Sequence, residues 1–233
     1  MPENPASYRV VRTKSYLFNK AQDNIKAAFS KAYHLCKDAG LQKITLVFPA
    51  KGMFLHSDIA TFLGAQTAKA LGKGKTVDLG DNIRLDFKIP KSFLPYDNYD
   101  VILATYLLSK DMDIVDSAQN INSIVFLPWS EEEGKRWLST WDPEIVGQSH
   151  WKVQKPQLPT YVGDEILRLG RCINMATGLS HPCDKDMAKR IFSDLKKQGF
   201  RATEEAIRQF AVNNGWEPAK AKELANFAKK YME

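Results

Sequence analysis

Ammonium, imidazole and hydroxyl groups follow three apolar runs of the sequence that predict buried strands. Lys51 and His56 come after the first run, and serine and threonine hydroxyls come after all three. The carboxyl ends of parallel strands meet at one edge of a sheet, which is where open α/β sheets bind their ligands. Backbone amides at the helix starts of such an edge can hold a phosphate or carboxylate. We therefore predict a site for a nucleotide or another small anionic ligand, lined by Lys51, Gly52, His56, Ser57, Thr105, Ser109 and Ser130.

A plain strand-to-helix connection is the alternative interpretation of the first of these segments, VFPAKGMFLHSDIATFLGAQTAKAL. The segment lacks the GxGxxG pattern of dinucleotide-binding loops. Gly52 allows the backbone to approach an anion closely, but capped helices and polar loops are common at this edge of α/β proteins. The pattern predicts a binding site at this edge of the sheet but does not identify its ligand.

Two other motifs resemble sites that bind or cleave phosphate groups, but neither is supported by the residues around it. The run GKGKT at 72–76 ends like a P-loop, but Lys69 stands where that motif requires glycine. The run also leaves a predicted helix and enters a strand, the reverse of the P-loop order. Asp86 and Lys88 resemble part of a nuclease metal site, yet a half-exposed strand explains their alternation with apolar residues.

No set of residues in the sequence predicts a metal centre, and none identifies a cofactor. Asp111 and Asp113 fit the first turn of a helix, where acidic side chains are favourable. Cys172, His181 and Cys183 offer at most three soft ligands, whereas a closed zinc site needs four. The sequence contains no GxSxG or HExxH motif. Whether the protein is an enzyme remains open at this point.

The elements that position these residues alternate between strand and helix. Apolar runs over 43–50, 100–106 and 123–129 predict strands buried on both faces. Residues 15–40 read as a helix, and Ser57 is placed to cap a helix whose apolar stripe runs from Ile59 to Leu71. Two alternating runs around Gly80–Asp81–Asn82 predict a hairpin. Strands alternating with helices indicate a parallel sheet covered on both faces.

The predicted fold class is α/β, a Rossmann-like three-layer sheet domain with a small all-helical C-terminal domain. The boundaries are residues 1–150 for the α/β domain, 151–162 for a proline-containing linker and 163–233 for the helical domain. In the helical part, Gly199 and Gly215 stand where helices stop, and Trp216 is placed to fill the core.

The helical part also resembles a family of uncharacterised bacterial proteins. The resemblance rests on the segment TGLSHPCDK and on the turn NGW between the last two predicted helices. It covers about a quarter of the chain and implies no activity.

Charge and composition narrow the expected partners. The net charge is +6; residues 1–150 hold 18 Lys+Arg and 17 Asp+Glu, and residues 151–233 hold 15 and 10. Acids interleave with the bases of the helical part, which favours protein contacts or a second copy of the chain over nucleic acid. The enzymatic alternative acts on a nucleotide, a sugar phosphate or a nucleic-acid phosphodiester. No apolar run reaches the length of a membrane span and no signal segment is present, so we expect a cytoplasmic protein without membrane contact.

Overall fold

A computed structural model describes residues 14–18, 22–141, 143–146, 157–175 and 177–232. These residues divide into two compact units, one within 10–153 and one within 154–233.

The first unit is built on a sheet in which the described residues form seven strands. In chain order they are β1 (Lys14–Phe18), β2 (Lys43–Val47), β3 (Val77–Asp78), β4 (Arg84–Lys88), β5 (Asn98–Thr105), β6 (Asn120–Leu127) and β7 (Glu144–Val146). Their spatial order is β3-β4-β2-β5-β6-β1-β7. All neighbouring pairs are parallel except β3 with β4. That antiparallel pair confirms the predicted hairpin.

Helices cover both faces of this sheet. They are α1 (Gln22–Asp38), α2 (Lys51–Phe54), α3 (Asp58–Leu63), α4 (Ala65–Gly72), α5 (Ser109–Asp116) and α6 (Glu131–Trp141). Apolar side chains of α1 to α4 pack on one face. Those of α5 and α6 pack on the other face, together with the chain around a 3-10 turn at Pro90–Ser92. The three-layer, Rossmann-like α/β architecture is therefore confirmed.

The three predicted buried strands are also confirmed as β2, β5 and β6. Ile44, Leu103 and Phe126 have 0–1% of their surface exposed, as expected for central strands covered on both faces.

Three local predictions are wrong. The predicted helix over 15–40 begins only at Gln22, because residues 14–18 instead form β1 between β6 and β7. The helix expected from Ile59 to Leu71 is interrupted at Gly64, whose φ of 83° ends α3. Residues 144–146, for which we predicted neither strand nor helix, pair with β1 as β7. In each case long-range packing or a single backbone angle overrides the local pattern.

The Ser57 hydroxyl joins α2 to α3, as the predicted cap requires. It accepts a hydrogen bond from the Ala60 amide (3.2 Å) and donates one to the Phe54 carbonyl oxygen (2.6 Å). It therefore satisfies one orphan amide of α3 and one orphan carbonyl of α2 at once.

We expect Ser57→Ala to lower the free energy of unfolding of this unit by about 1 kcal/mol, the usual cost of losing a serine cap. Urea denaturation measures the difference. Ser57→Asp is the matched control, because its carboxylate restores the acceptor and should recover most of the loss. Equal stability of Ser57→Ala and the parent protein would contradict a capping role.

The second unit contains four helices among its described residues. They are α7 (Thr160–Cys172), α8 (Pro182–Lys197), α9 (Glu204–Asn213) and α10 (Pro218–Met232). Because α7 begins at Thr160, the last three residues of the predicted linker are helical; residues 151–156 lie outside the described part of the chain. Trp216 is 2% exposed and fills the core as expected. No helix of the described residues has the length and apolar content needed to cross a bilayer.

Two glycines let α7 pack closely in this unit. A Cβ atom added at Gly163 would lie 2.8 Å from Cζ of Phe210, and one at Gly170 would lie 3.2 Å from Nε1 of Trp216. The seven-residue spacing places both glycines on one face of α7, since two helical turns span about seven residues. The apolar pattern alone gave no sign of this contact.

Candidate functional site

The sheet has a topological switch point between β2 and β5. These strands are neighbours, and Val47 at the end of β2 pairs with Ala104 of β5. The chain after β2 enters α2 to α4 on one face, whereas the chain after β5 enters α5 on the other face. The two connections diverge and leave a crevice at the carboxyl edge, the place where open α/β sheets bind ligands.

Tyr106, the first residue after β5, lies in this crevice with a left-handed backbone. Its φ is 57°, a conformation that is uncommon for a bulky side chain. Its amide donates to the Leu127 carbonyl oxygen (2.8 Å), and its hydroxyl donates to Oδ2 of Asp58 (2.8 Å). Burial and the neighbouring Asp58 carboxylate raise the pKa of Tyr106, so the phenol stays protonated and remains a donor. Backbone strain of this kind costs about 1–3 kcal/mol and is found most often at ligand sites.

Tyr106 is also a member of a chain of five aromatic rings along the carboxyl edge. Ring centroids lie 5.2 Å apart for Tyr106 and Trp129, 6.0 Å for Tyr106 and Phe48, and 5.6 Å for Phe48 and Phe54. The chain ends at Phe87 of β4, 4.4 Å from Phe54. It links the ends of four strands, and Trp129, with 51% of its surface exposed, is its exposed end.

The predicted hydroxyl-bearing residues bond to the protein itself. Thr105 is fully buried and donates to the Val47 carbonyl oxygen (3.3 Å). Ser57 forms the cap described above, and Ser130 accepts a hydrogen bond from the Glu133 amide (3.4 Å). Both the amide and the hydroxyl of Ser109 donate to Oε2 of Glu133 at 2.6 Å. Glu133 thus occupies the start of α5, where a ligand phosphate was expected to bind.

The other predicted residues face solvent at this edge. Lys51 and Gly52 form the exposed first turn of α2, and His56 is exposed in the connection to α3. The side chains of Lys51 and His56 make no hydrogen bond or ion pair with any residue that the structure describes, although the His56 amide donates to the Met53 carbonyl oxygen (3.2 Å). Lys110 is exposed at the start of α5, close enough to Asp111 to favour the ionised form of that carboxyl, although burial raises the pKa of Asp111 overall.

The carboxylates of the edge, by contrast, are bound by the protein. Asp58 accepts hydrogen bonds from Tyr106 and from the Ile59 amide (3.0 Å), and Glu133 accepts two from Ser109. These hydrogen bonds orient the two carboxylates but leave their charge in place. Glu131 and Glu132, at the start of α6, are exposed acids of the same edge, and Glu131 pairs with Lys135 (2.9 Å). These acids follow β6, whereas the exposed Lys51 follows β2, two strands away, so it is the β2 end of the edge that favours an anion.

Other reactive groups lie elsewhere. Cys36 is buried, and burial raises the pKa of its thiol to about 12, so the thiolate does not form at neutral pH. Cys172 and Cys183 are exposed in the helical unit. Within the described ranges, no three His, Cys, Asp or Glu side chains are grouped so that they could hold a metal ion.

Ion pairs interrupt the basic surface of the helical unit. Lys197 pairs with Asp194 (2.9 Å), and Lys229 pairs with Glu204 (3.7 Å). Arg208 is only 5% exposed and donates to both carboxylate oxygens of Glu205, at 2.9 and 2.6 Å. A continuous basic stripe, the usual footprint of a nucleic-acid interface, is not formed by these residues.

Comparison with known proteins identifies only the helical end of the chain. Residues 165–233 match a domain of unknown function (DUF1889). This match confirms the resemblance to an uncharacterised family and implies no activity. No curated protein and no solved structure matches the chain.

Sequence reasoning undervalued Tyr106, Trp129 and Glu133. An aromatic residue follows each of the strands β2, β5 and β6 by one or two positions, namely Phe48, Tyr106 and Trp129. This repeated placement was the signal in the sequence that could have indicated the aromatic chain. The bond from Ser109 to Glu133 joins residues 24 positions apart, and no local pattern indicates it.

Proposed function

We propose that the α/β unit binds a nucleotide or another small anionic ligand at the carboxyl edge between β2 and β5, and that the helical unit mediates protein contacts. The observation that carries the first part is Tyr106, which is held in a strained backbone at the switch point of the sheet. Lys51 and His56, which follow the neighbouring strand β2, are exposed and supply a cation and a hydrogen-bond donor, while Asp58 and Glu133 accept hydrogen bonds from the protein.

Binding without chemistry is the simpler form of this proposal. Burial and Asp58 raise the pKa of Tyr106, so the residue stays protonated and no phenolate is available to act as a general base. Ser109 donates its proton to a carboxylate, which is a weak base for activating a hydroxyl nucleophile. An enzyme acting on the same ligand class is the alternative, and turnover of a bound nucleotide would reveal it.

The test is thermal unfolding of the protein with nucleotides, sugar phosphates and inorganic phosphate. A ligand that binds only the folded state stabilises it by about 2.7 kcal/mol at a hundredfold excess over its Kd. We expect Lys51→Ala to weaken binding by about 10- to 100-fold, because a hydrogen bond to a charged group contributes about 1.5–3 kcal/mol. Isothermal titration calorimetry would measure that loss.

Arg84→Ala is the matched control for Lys51→Ala. Arg84 is an exposed cation at the first position of β4, at the opposite edge of the sheet, so its removal changes the net charge equally. Equal losses in the two variants would mean that only net charge matters, and no stabilisation by any anion would refute the proposed function.

The support for protein contacts by the helical unit is the pairing of its bases. Lys220 with Glu223 (3.3 Å) adds to the ion pairs described above and further reduces the charge available to a polyanion. Tyr161, at the start of α7, is 43% exposed and offers an aromatic contact. Sedimentation of the full chain tests for self-association, and salt-sensitive binding to duplex DNA would favour nucleic acid instead.

A further inference from the structure

The carboxyl edge of the sheet carries exposed apolar side chains as well as cations. Among the described residues, eight large hydrophobic side chains are exposed. Four of them follow β2, β5 or β6 at this edge, namely Met53, Leu55, Leu108 and Trp129. An apolar set of this kind beside cationic groups is typical of a site for a ligand with both an apolar and a charged part.

Trp129 is the member of this set whose orientation the structure explains best. The Tyr106 ring meets it edge to face, with an interplanar angle of 84°. Tyr106 is itself 6% exposed and fixed by its bonds to Leu127 and Asp58. The indole therefore has a rigid support beneath a half-exposed surface, and a pre-arranged aromatic surface loses little entropy when a flat ring stacks on it.

The strands that precede Lys51 and Trp129 are spaced so that one small molecule could span their ends. Trp129 follows β6 and Lys51 follows β2, with β5 between these strands. Two strand spacings amount to about 10 Å. A nucleoside monophosphate spans a comparable distance from its ring to its phosphate, whereas inorganic phosphate reaches only one of the two groups.

We infer that the ligand of this edge carries an aromatic ring that stacks on Trp129 while its anionic group meets Lys51, as in a nucleoside monophosphate. This inference rests on the proposed function and specifies the ligand class. Every base can stack on an aromatic side chain, because each base has a π-face. The site therefore requires an aromatic ring in its ligand but does not distinguish one base from another.

The experiment compares adenosine monophosphate and cytidine monophosphate with ribose 5-phosphate by titration calorimetry on the full chain. We expect both nucleotides to bind roughly 5- to 150-fold more tightly than ribose 5-phosphate, the range that one stacked base provides. Trp129→Ala should remove this difference and leave the affinity for ribose 5-phosphate unchanged. Trp129→Phe should retain part of it.

Tyr96→Ala is the matched control for Trp129→Ala. Tyr96 is 72% exposed and lies just before β5, near the amino edge of the sheet. Its removal deletes an exposed aromatic ring without touching the proposed site, so it should leave the preference for nucleotides intact. The midpoint of thermal unfolding of Trp129→Phe, the milder variant, shows whether the substitution affects folding. A change in affinity without a change in that midpoint is then a binding defect.

The outcomes separate the two proposals. If nucleotides and ribose 5-phosphate bind equally, and Trp129→Ala changes neither affinity, the stacking inference is wrong while the anion site stands. If no phosphate-bearing compound binds, the proposed function falls and the inference falls with it. If Tyr96→Ala abolishes the nucleotide preference as Trp129→Ala does, the ring contact lies elsewhere and the assignment to Trp129 is overturned.

Discussion

Replacing Phe54 by alanine is expected to lower the free energy of unfolding of the α/β unit by about 3–5 kcal/mol. Phe54 has no exposed surface, and its ring lies between Phe48 and Phe87, with centroids 5.6 and 4.4 Å away. Truncation leaves a cavity within the aromatic chain, because rings anchored on β2 and β4 cannot collapse into it. Urea denaturation followed by tryptophan fluorescence measures the loss.

Phe62→Ala is the matched control for Phe54→Ala. Phe62 is 44% exposed, and the one ring contact found for it is with Phe29, at 5.1 Å. Its truncation should cost about 1–2.5 kcal/mol, the sum of a half-buried ring's transfer free energy and the aromatic pair. Similar losses for the two variants would contradict the central position of Phe54.

The Phe54 variant also bears on ligand binding. Phe54 is the buried residue of α2, the single helical turn that carries Lys51. Loss of this anchor should loosen the turn and weaken anion binding even where the protein stays folded. A variant that loses stability but keeps full affinity would show that Lys51 is positioned by something other than α2.

Asp116→Ala is expected to cost about 2–4 kcal/mol. Asp116 is 4% exposed and accepts hydrogen bonds from two indoles, Nε1 of Trp137 at 3.1 Å and Nε1 of Trp141 at 2.8 Å. Hydrogen bonds to charged groups contribute about 1.5–3 kcal/mol each, and release of the desolvated carboxylate offsets part of the loss. Urea denaturation gives the magnitude, and near-UV circular dichroism should report the released indoles.

Two further variants serve as controls for Asp116→Ala. Asp116→Asn keeps one oxygen that can accept from an indole, so its cost should lie between those of alanine and the parent residue. Asp113→Ala removes the same side chain one turn earlier on α5, where the carboxylate meets Arg136 at 3.4 Å. We expect a smaller loss there, because this contact is longer than either indole bond of Asp116 and Asp113 is the less buried of the two acids. A larger loss for Asp113→Ala than for Asp116→Ala would refute the role given to the indole pair.

The parts of the fold that were predictable are those in which local pattern and burial agree. Continuous apolar runs identified β2, β5 and β6, because central parallel strands need apolar side chains on both faces. The strand β1 was missed, because its residues continue into a helical pattern and its identity comes from pairing with β6 and β7. Hydrophobic periodicity and secondary-structure propensity depend on residues that are close in the sequence, whereas strand pairing depends on residues that are far apart in it.

The candidate site shows the same division. The edge of the sheet was predictable from where the strands end, but the roles of its side chains were not. Ser109 was predicted to meet a ligand, and the structure adds that it binds Glu133, a contact that depends on how α5 and α6 pack. The left-handed backbone of Tyr106 is likewise set by its tertiary contacts, since nothing in its local sequence calls for a positive φ.

The position of β1 has a consequence for synthesis of the chain. Lys14 pairs with Ser123, and Tyr16 pairs with Glu144, so the first strand meets partners more than 100 residues downstream. At about 5–20 residues per second, a ribosome needs roughly 5–20 s to make that intervening stretch. The strands β2, β4 and β5 are made within that interval and can pair with one another before the partners of β1 exist. The order of translation thus makes β1 a late addition to the sheet, although it precedes the other described strands in the sequence.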